Sequence, residues 1–161
     1  MLQGLKIMNK LKHAQGNLID MAEDGQFDVI VHGCNCFNTM GGGIAREIRG
    51  RYPLAAKADA STISGSIDKL GSYTAYDTGK FLIVNAYTQY GMSSGEDVFE
   101  YEAFALIIRK LCHIFTDQRI GIPYIGMGLA GGDKDIIMAY IEHFAEEAAV
   151  QGNTLTLVEF K

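Results

Sequence analysis

Proline and cysteine are scarce in this 161-residue sequence, and positive charge is outnumbered: there are two prolines, three cysteines, and 14 Lys and Arg against 19 Asp and Glu. An odd set of cysteines (Cys34, Cys36 and Cys112) is no disulfide framework and fits a reducing compartment. A lone Cys-x-Cys with no second pair and no histidine cluster nearby is a poor zinc site, so the cysteines read as small buried hydrophobes and no metal is expected. A net charge of −5 argues against a grip on extended nucleic acid, which needs clustered cations, but leaves room for a small anion held by backbone N–H groups. No apolar stretch reaches the roughly 18 residues of a membrane span, and the opening MLQGLKIMNKLKHAQG reads neither as a secretory signal nor as a membrane segment, so no membrane partner and a cytoplasmic location are expected. Repeats, low-complexity tracts and long linkers are also missing, which predicts one domain over residues 1–161, large enough for a real core and expected to be a monomer.

What the sequence has in excess is glycine, 19 residues of it, on a 48% apolar background. Glycine marks places where the backbone turns tightly or something approaches it closely. Between the glycines run short apolar, β-branched segments: FDVIVHG (27–33), KFLIVNAYT (80–88), RIGIPYIG (119–126) and LTLVEF (155–160) read as strands, and GSYTAYDTGK (71–80) as a more polar strand near an edge. In 101–115 Phe104, Ile107, Ile108, Leu111 and Phe115 recur at helical spacing, as do Ile137, Ile141, Phe144 and Ala148 in 133–152, with Asp133 as N-cap and Gly152 as stop. Strands alternating with helices predict an α/β domain with a largely parallel sheet covered on both faces, and ligands at the loops beyond the strands' carboxyl ends.

Two of those loops are glycine-rich. One carries Gly41, Gly42 and Gly43 at the entrance to IAREIRGRY, and the other reads GMGLAGG, 126–132, ahead of the helix at Asp133. Neither matches a P-loop, so P-loop nucleotide hydrolysis is not expected. Glycines ahead of helix N-termini let phosphate approach free N–H groups, and two such loops on neighbouring strands would hold a diphosphate. His32 and Asn35, at the end of the first strand and the start of its loop, are placed to reach that crevice, against the plainer readings of a structural histidine and a turn-forming asparagine.

The stretch IVHGCNCFNTMGGGIAREIRGRYP, with QGNLI before it and IPYIGMGLAGG after it, resembles the macrodomain family, whose members bind ADP-ribose; HGCNC followed by MGGGIA and RYP is most similar to the fungal ADP-ribose 1″-phosphate phosphatases. The resemblance implies a three-layer α/β/α sandwich with a central mixed, mostly parallel sheet. It implies that Gly41, Gly42, Gly43 and Ile44 wrap the diphosphate and distal ribose, and that Gly126, Met127, Gly128, Leu129 and Ala130 form the facing phosphate loop. Asn35 would bind the distal ribose hydroxyls, with Thr88 and Gln89 beside it. Asn17, with Leu18 in QGNLI, takes the place of the family's adenine-reading aspartate, Asp20 being a weaker substitute. Two catalytic sets known in the family are missing residues here: Ala45 stands where one branch has an aspartate, and Gln89 and Ala130 where another has a lysine and an aspartate.

The function expected is therefore removal of the phosphate of ADP-ribose 1″-phosphate, giving ADP-ribose and phosphate without a cofactor. Asn35 would orient the ribose, and His32 would protonate the leaving oxygen, activate water or attack phosphorus. The alternatives are a non-catalytic ADP-ribose reader and a hydrolase removing ADP-ribose from modified macromolecules. The expected partners are thus ADP-ribose, its 1″-phosphate or other ADP-ribosyl derivatives.

Overall fold

The apolar runs of the sequence end up where both faces of a sheet are covered. A computed structural model describes residues 10–92, 98–128 and 130–161. Among these, six strands form one sheet in the order β1 (Lys12–Gly16), β6 (Thr154–Phe160), β5 (Arg119–Ile122), β2 (Val29–Cys34), β4 (Leu82–Tyr87), β3 (Tyr73–Asp77). All neighbours are parallel except β3, which pairs antiparallel with β4 at the edge. The sheet is mixed and mostly parallel, as expected.

Alternate residues of the inner strands feed two cores. On one face Val31, Val84, Ile122 and Leu157 pack with Phe104, Ile107 and Leu111 of α4 (Tyr101–Ile114) and Ile137, Ile141 and Phe144 of α5 (Lys134–Val150). On the other, Ile30, Ile83 and Val158 pack with Ile19 of α1 (Leu18–Glu23), Ile48 of α2 (Gly43–Arg51) and Ala55 of α3 (Pro53–Ala60). Each large side chain buried this way contributes about 1.5–3 kcal/mol. The result is three layers, helices on both faces.

The caps read from the sequence are present. Asp133 Oδ1 accepts from the N–H groups of Asp135 and Ile136, and Gly152 has φ +77° beyond the end of α5. Three elements differ from expectation. The strand expected over 119–126 stops at Ile122, because Pro123 has no N–H to donate to the ladder. The short β1 and α3 have no clear apolar periodicity; β1 is a half-exposed edge strand held by its backbone pairing to β6. The three cysteines are buried and unpaired.

Candidate functional site

Because β1, β6, β5, β2 and β4 run parallel, the loops after β2 and β5, which are neighbours, emerge side by side at one edge of the sheet. The β2 loop leads into α2 through the three glycines, all of them exposed. Gly42 is the N-cap residue in an ordinary extended conformation, φ −138°, and no side chain caps the helix. The left-handed turn lies one residue later, at Gly43, φ +54°. Side chains cap α1 and α5, Asn17 and Asp133 respectively, whereas α3 and α4, like α2, have no side-chain cap; the exposed glycines are what set α2 apart. A Cβ added at Gly41 or Gly43 would meet nothing within 4 Å, so packing within the protein explains neither glycine. An uncapped helix start under bare backbone is an anion site in the making.

The β5 loop divides differently. Gly126 has φ +75° and backs onto the Phe99 ring, where a Cβ would collide. Met127 is half-buried against the α4/α5 core, and Ala130, 8% exposed, accepts the Val98 N–H through its carbonyl. Gly128 is exposed with open space above it. Leu129 lies outside the described residues.

Beside the start of α2 is a cavity of about 440 Å³, lined by Gly16, Asn17, Leu18, Gly43, Ile44, Glu47, Pro123, Val158 and Phe160. It brings four of the expected residues together: Asn17, Leu18, Gly43 and Ile44. Asn17 is committed differently from expectation. Its Oδ1 accepts from the N–H groups of Ile19 and Asp20, both at 3.0 Å, and its Nδ2 donates to Glu47 Oε1 at 3.0 Å. The oxygen expected to face adenine thus serves the helix cap. Asp20 is paired with Arg51 at 2.8 Å. The carboxylate on the cavity wall is Glu47, which sequence reasoning missed, as it did Val158 and Phe160. A signal did exist: Glu47 sits one helical turn after Gly43, on the same face of α2.

His32 is the clearest correction. It lies inside β2, 1% exposed, opposite Asn85 of β4, and its Nε2 is 2.6 Å from Asn85 Oδ1. Asn85 Nδ2 donates to the Ala55 carbonyl at 3.1 Å and to Thr74 Oγ1 at 3.1 Å. The amide oxygen therefore faces His32, and the imidazole carries its proton on Nε2. Burial lowers the imidazole pKa to about 4, against the opposing pull of the Asn85 bond and of the Asp59 charge. A neutral imidazole sealed between the sheet and α3 cannot deliver a proton to a ligand. Even-numbered positions of β2 face α1 to α3 and not the loop mouth; His32 is one of them.

Thr88 is also covered, 1% exposed. Its Oγ1 would lie 2.8 Å from a Cβ on Gly33, so it packs β4 against β2 rather than lining a crevice. Asn35 is half-buried and builds the loop: Oδ1 accepts from Phe37 N–H at 2.8 Å, and Nδ2 donates to the Thr39 carbonyl at 3.2 Å and to Thr39 Oγ1 at 2.7 Å. One lone pair of Oδ1 remains, so toward a ligand Asn35 is an acceptor only. Gln89 Nε2 donates to the Gly91 carbonyl, and Tyr90, beside it, donates to the Gly65 carbonyl. Burial raises the thiol pKa values of Cys34 and Cys36, so neither is a ready nucleophile. Among the described residues no three His, Cys, Asp or Glu side chains come together closely enough to hold a metal ion.

Comparison with solved structures places this architecture. The macrodomain of Mycobacterium tuberculosis DarG superposes with a TM-score of 0.72 at 17% identity, over 92% of this chain and 96% of that one. The chain has the macrodomain fold. A Trypanosoma brucei macrodomain solved in complex with ADP-ribose gives a TM-score of 0.64 at 15% identity, over 94% of this chain and 63% of the other. In sequence, this macrodomain is 31% identical over 149 residues to an uncharacterised 17.5 kDa protein of Enterobacteria phage T4, covering 87% of the chain and 93% of the phage protein. The chain and that phage protein belong to one family. A shorter match, 44% identical over 45 residues, joins 28% of this macrodomain to 21% of an ADP-ribose 1″-phosphate phosphatase from Aspergillus oryzae. No family model matches the chain.

Proposed function

We propose that this macrodomain binds ADP-ribose, with the diphosphate at the start of α2 and the adenosine in the adjoining cavity. The observation that carries the reading is the uncapped N-terminus of α2 beneath exposed glycines that no internal contact requires. Free N–H groups and the helix dipole favour an anion there, and glycine lets its oxygens reach the backbone. The 440 Å³ cavity next to it falls in the range of small-molecule sites. That a Trypanosoma brucei protein of the same fold was solved with ADP-ribose supports the choice of ligand. Replacing Gly41 by valine tests it. Gly41 is not in the left-handed region and its side-chain space is empty, so the variant should fold normally. Wild type should gain thermal stability with ADP-ribose and Gly41→Val should not; an equal gain in both would remove the phosphate role from the glycines.

The match to the Aspergillus oryzae phosphatase favours a second reading, in which the bound nucleotide is ADP-ribose 1″-phosphate and its terminal phosphate is released. His32 has no part in that chemistry, so the substrate's own phosphate would activate the attacking water, with Asn35 accepting a bond from a distal ribose hydroxyl. Inorganic phosphate release from ADP-ribose 1″-phosphate tests this. Turnover lost in Asn35→Ala supports it, and good binding with no release by wild type leaves a reader.

A further inference from the structure

The adenosine cavity has one charged wall. Leu18, Ile44, Pro123, Val158 and Phe160 line it with hydrocarbon, and among the described residues Glu47 is its only ionisable group. A carboxylate there repels phosphate and favours an uncharged, flat ring that presents N–H donors. The carboxylate is held from one side only. Its Oε1 accepts both Asn17 Nδ2 and Arg51 Nη1, each at 3.0 Å, whereas Oε2 has no hydrogen-bond partner among the described residues. Tying α1 to α2 does not require Glu47, because Arg51 also binds Asp20 at 2.8 Å and Glu23 at 2.7 Å. We infer that Glu47 is the base-selecting residue of the site, its Oε2 accepting the exocyclic amino group of adenine while Asn17 fixes the carboxylate's orientation. This rests on the reading of the cavity as an adenosine subsite. Asn17, with its own oxygen bound to the α1 cap, acts as a positioning residue.

Carboxylates accept hydrogen bonds and cannot donate them, so a base with a carbonyl oxygen at the 6-position meets repulsion where adenine meets a partner. The probe is the hypoxanthine analogue of ADP-ribose, in which a carbonyl oxygen replaces the 6-amino group and N1 becomes an N–H. Calorimetry should show wild type binding ADP-ribose about tenfold or more tightly than the analogue, the scale of one charge-assisted hydrogen bond. Glu47→Gln keeps the shape and can donate as well as accept, so the preference should fall to within about threefold, chiefly because the analogue gains. Equal binding of both ligands by wild type overturns the role of Glu47 while leaving ADP-ribose binding intact. So does a preference unchanged in Glu47→Gln. Failure of wild type to bind either ligand instead overturns the functional reading itself.

Discussion

The buried imidazole of His32 makes stability pH-dependent in a calculable way. Its pKa is about 4 in the folded protein and about 6.5 in a solvated chain. Between those values the unfolded chain binds the proton and the folded one does not, so acid favours unfolding. The sign follows: full stability above about pH 6.5, and progressive loss as pH falls toward 4. Each pKa unit is worth about 1.4 kcal/mol, so the complete penalty is roughly 3 kcal/mol, of which about 2 kcal/mol falls between pH 7.5 and 5. That is a large share of the stability of a typical domain. His32→Gln isolates it, since the glutamine amide can still donate to Asn85 Oδ1 but does not titrate. Urea unfolding of both proteins at pH 7.5, 6 and 5 should give wild type about 2 kcal/mol more loss than the variant over that range. Parallel profiles would refute the burial of a neutral imidazole and return His32 to the list of candidate proton carriers.

Gly126→Ala should destabilise the fold, because it places a side chain in the left-handed region and against the Phe99 ring. The expected cost is roughly 1–3 kcal/mol by thermal or urea unfolding; a loss below a few tenths would mean the loop adapts. Asp133→Ala removes the oxygen that caps α5 and should cost about 1 kcal/mol by the same measurement. An unchanged midpoint would show the cap to be replaceable by water. Cys34 and Cys36, buried with raised thiol pKa values, should react with a thiol reagent far more slowly in the folded than in the unfolded protein.

Much of the architecture was legible because hydrophobic period reports burial directly. FDVIVHG and KFLIVNAYT carry the short apolar runs Val29–Val31 and Phe81–Val84, and they supply most of the central strands β2 and β4. The edge strand β1, KHAQG, carries no such record, since its pairing is made by backbone and by one polar side-chain bond, from Gln15 Nε2 to Glu159 Oε1. The glycine loops were found from position and composition, yet the sequence could not separate Gly126, needed to clear Phe99, from Gly41 and Gly128, which face open space. That difference lies in what the neighbouring chain does. His32 misled for a related reason: a strand end reads as a loop mouth, but alternation turned its ring toward α3 and Asn85 supplied a partner 53 residues away. Glu47 was passed over because a glutamate on a helix normally faces solvent; only the fold shows that the same helix face also walls a cavity.

Calorimetric titration of the wild-type protein with ADP-ribose, alongside AMP and ribose 5-phosphate, tests the proposed ligand most directly. Simultaneous occupation of the cavity and the α2 N-terminus predicts micromolar-scale affinity for ADP-ribose, roughly −8 kcal/mol, and far weaker binding of either fragment. No heat and no thermal shift at millimolar ADP-ribose would contradict it.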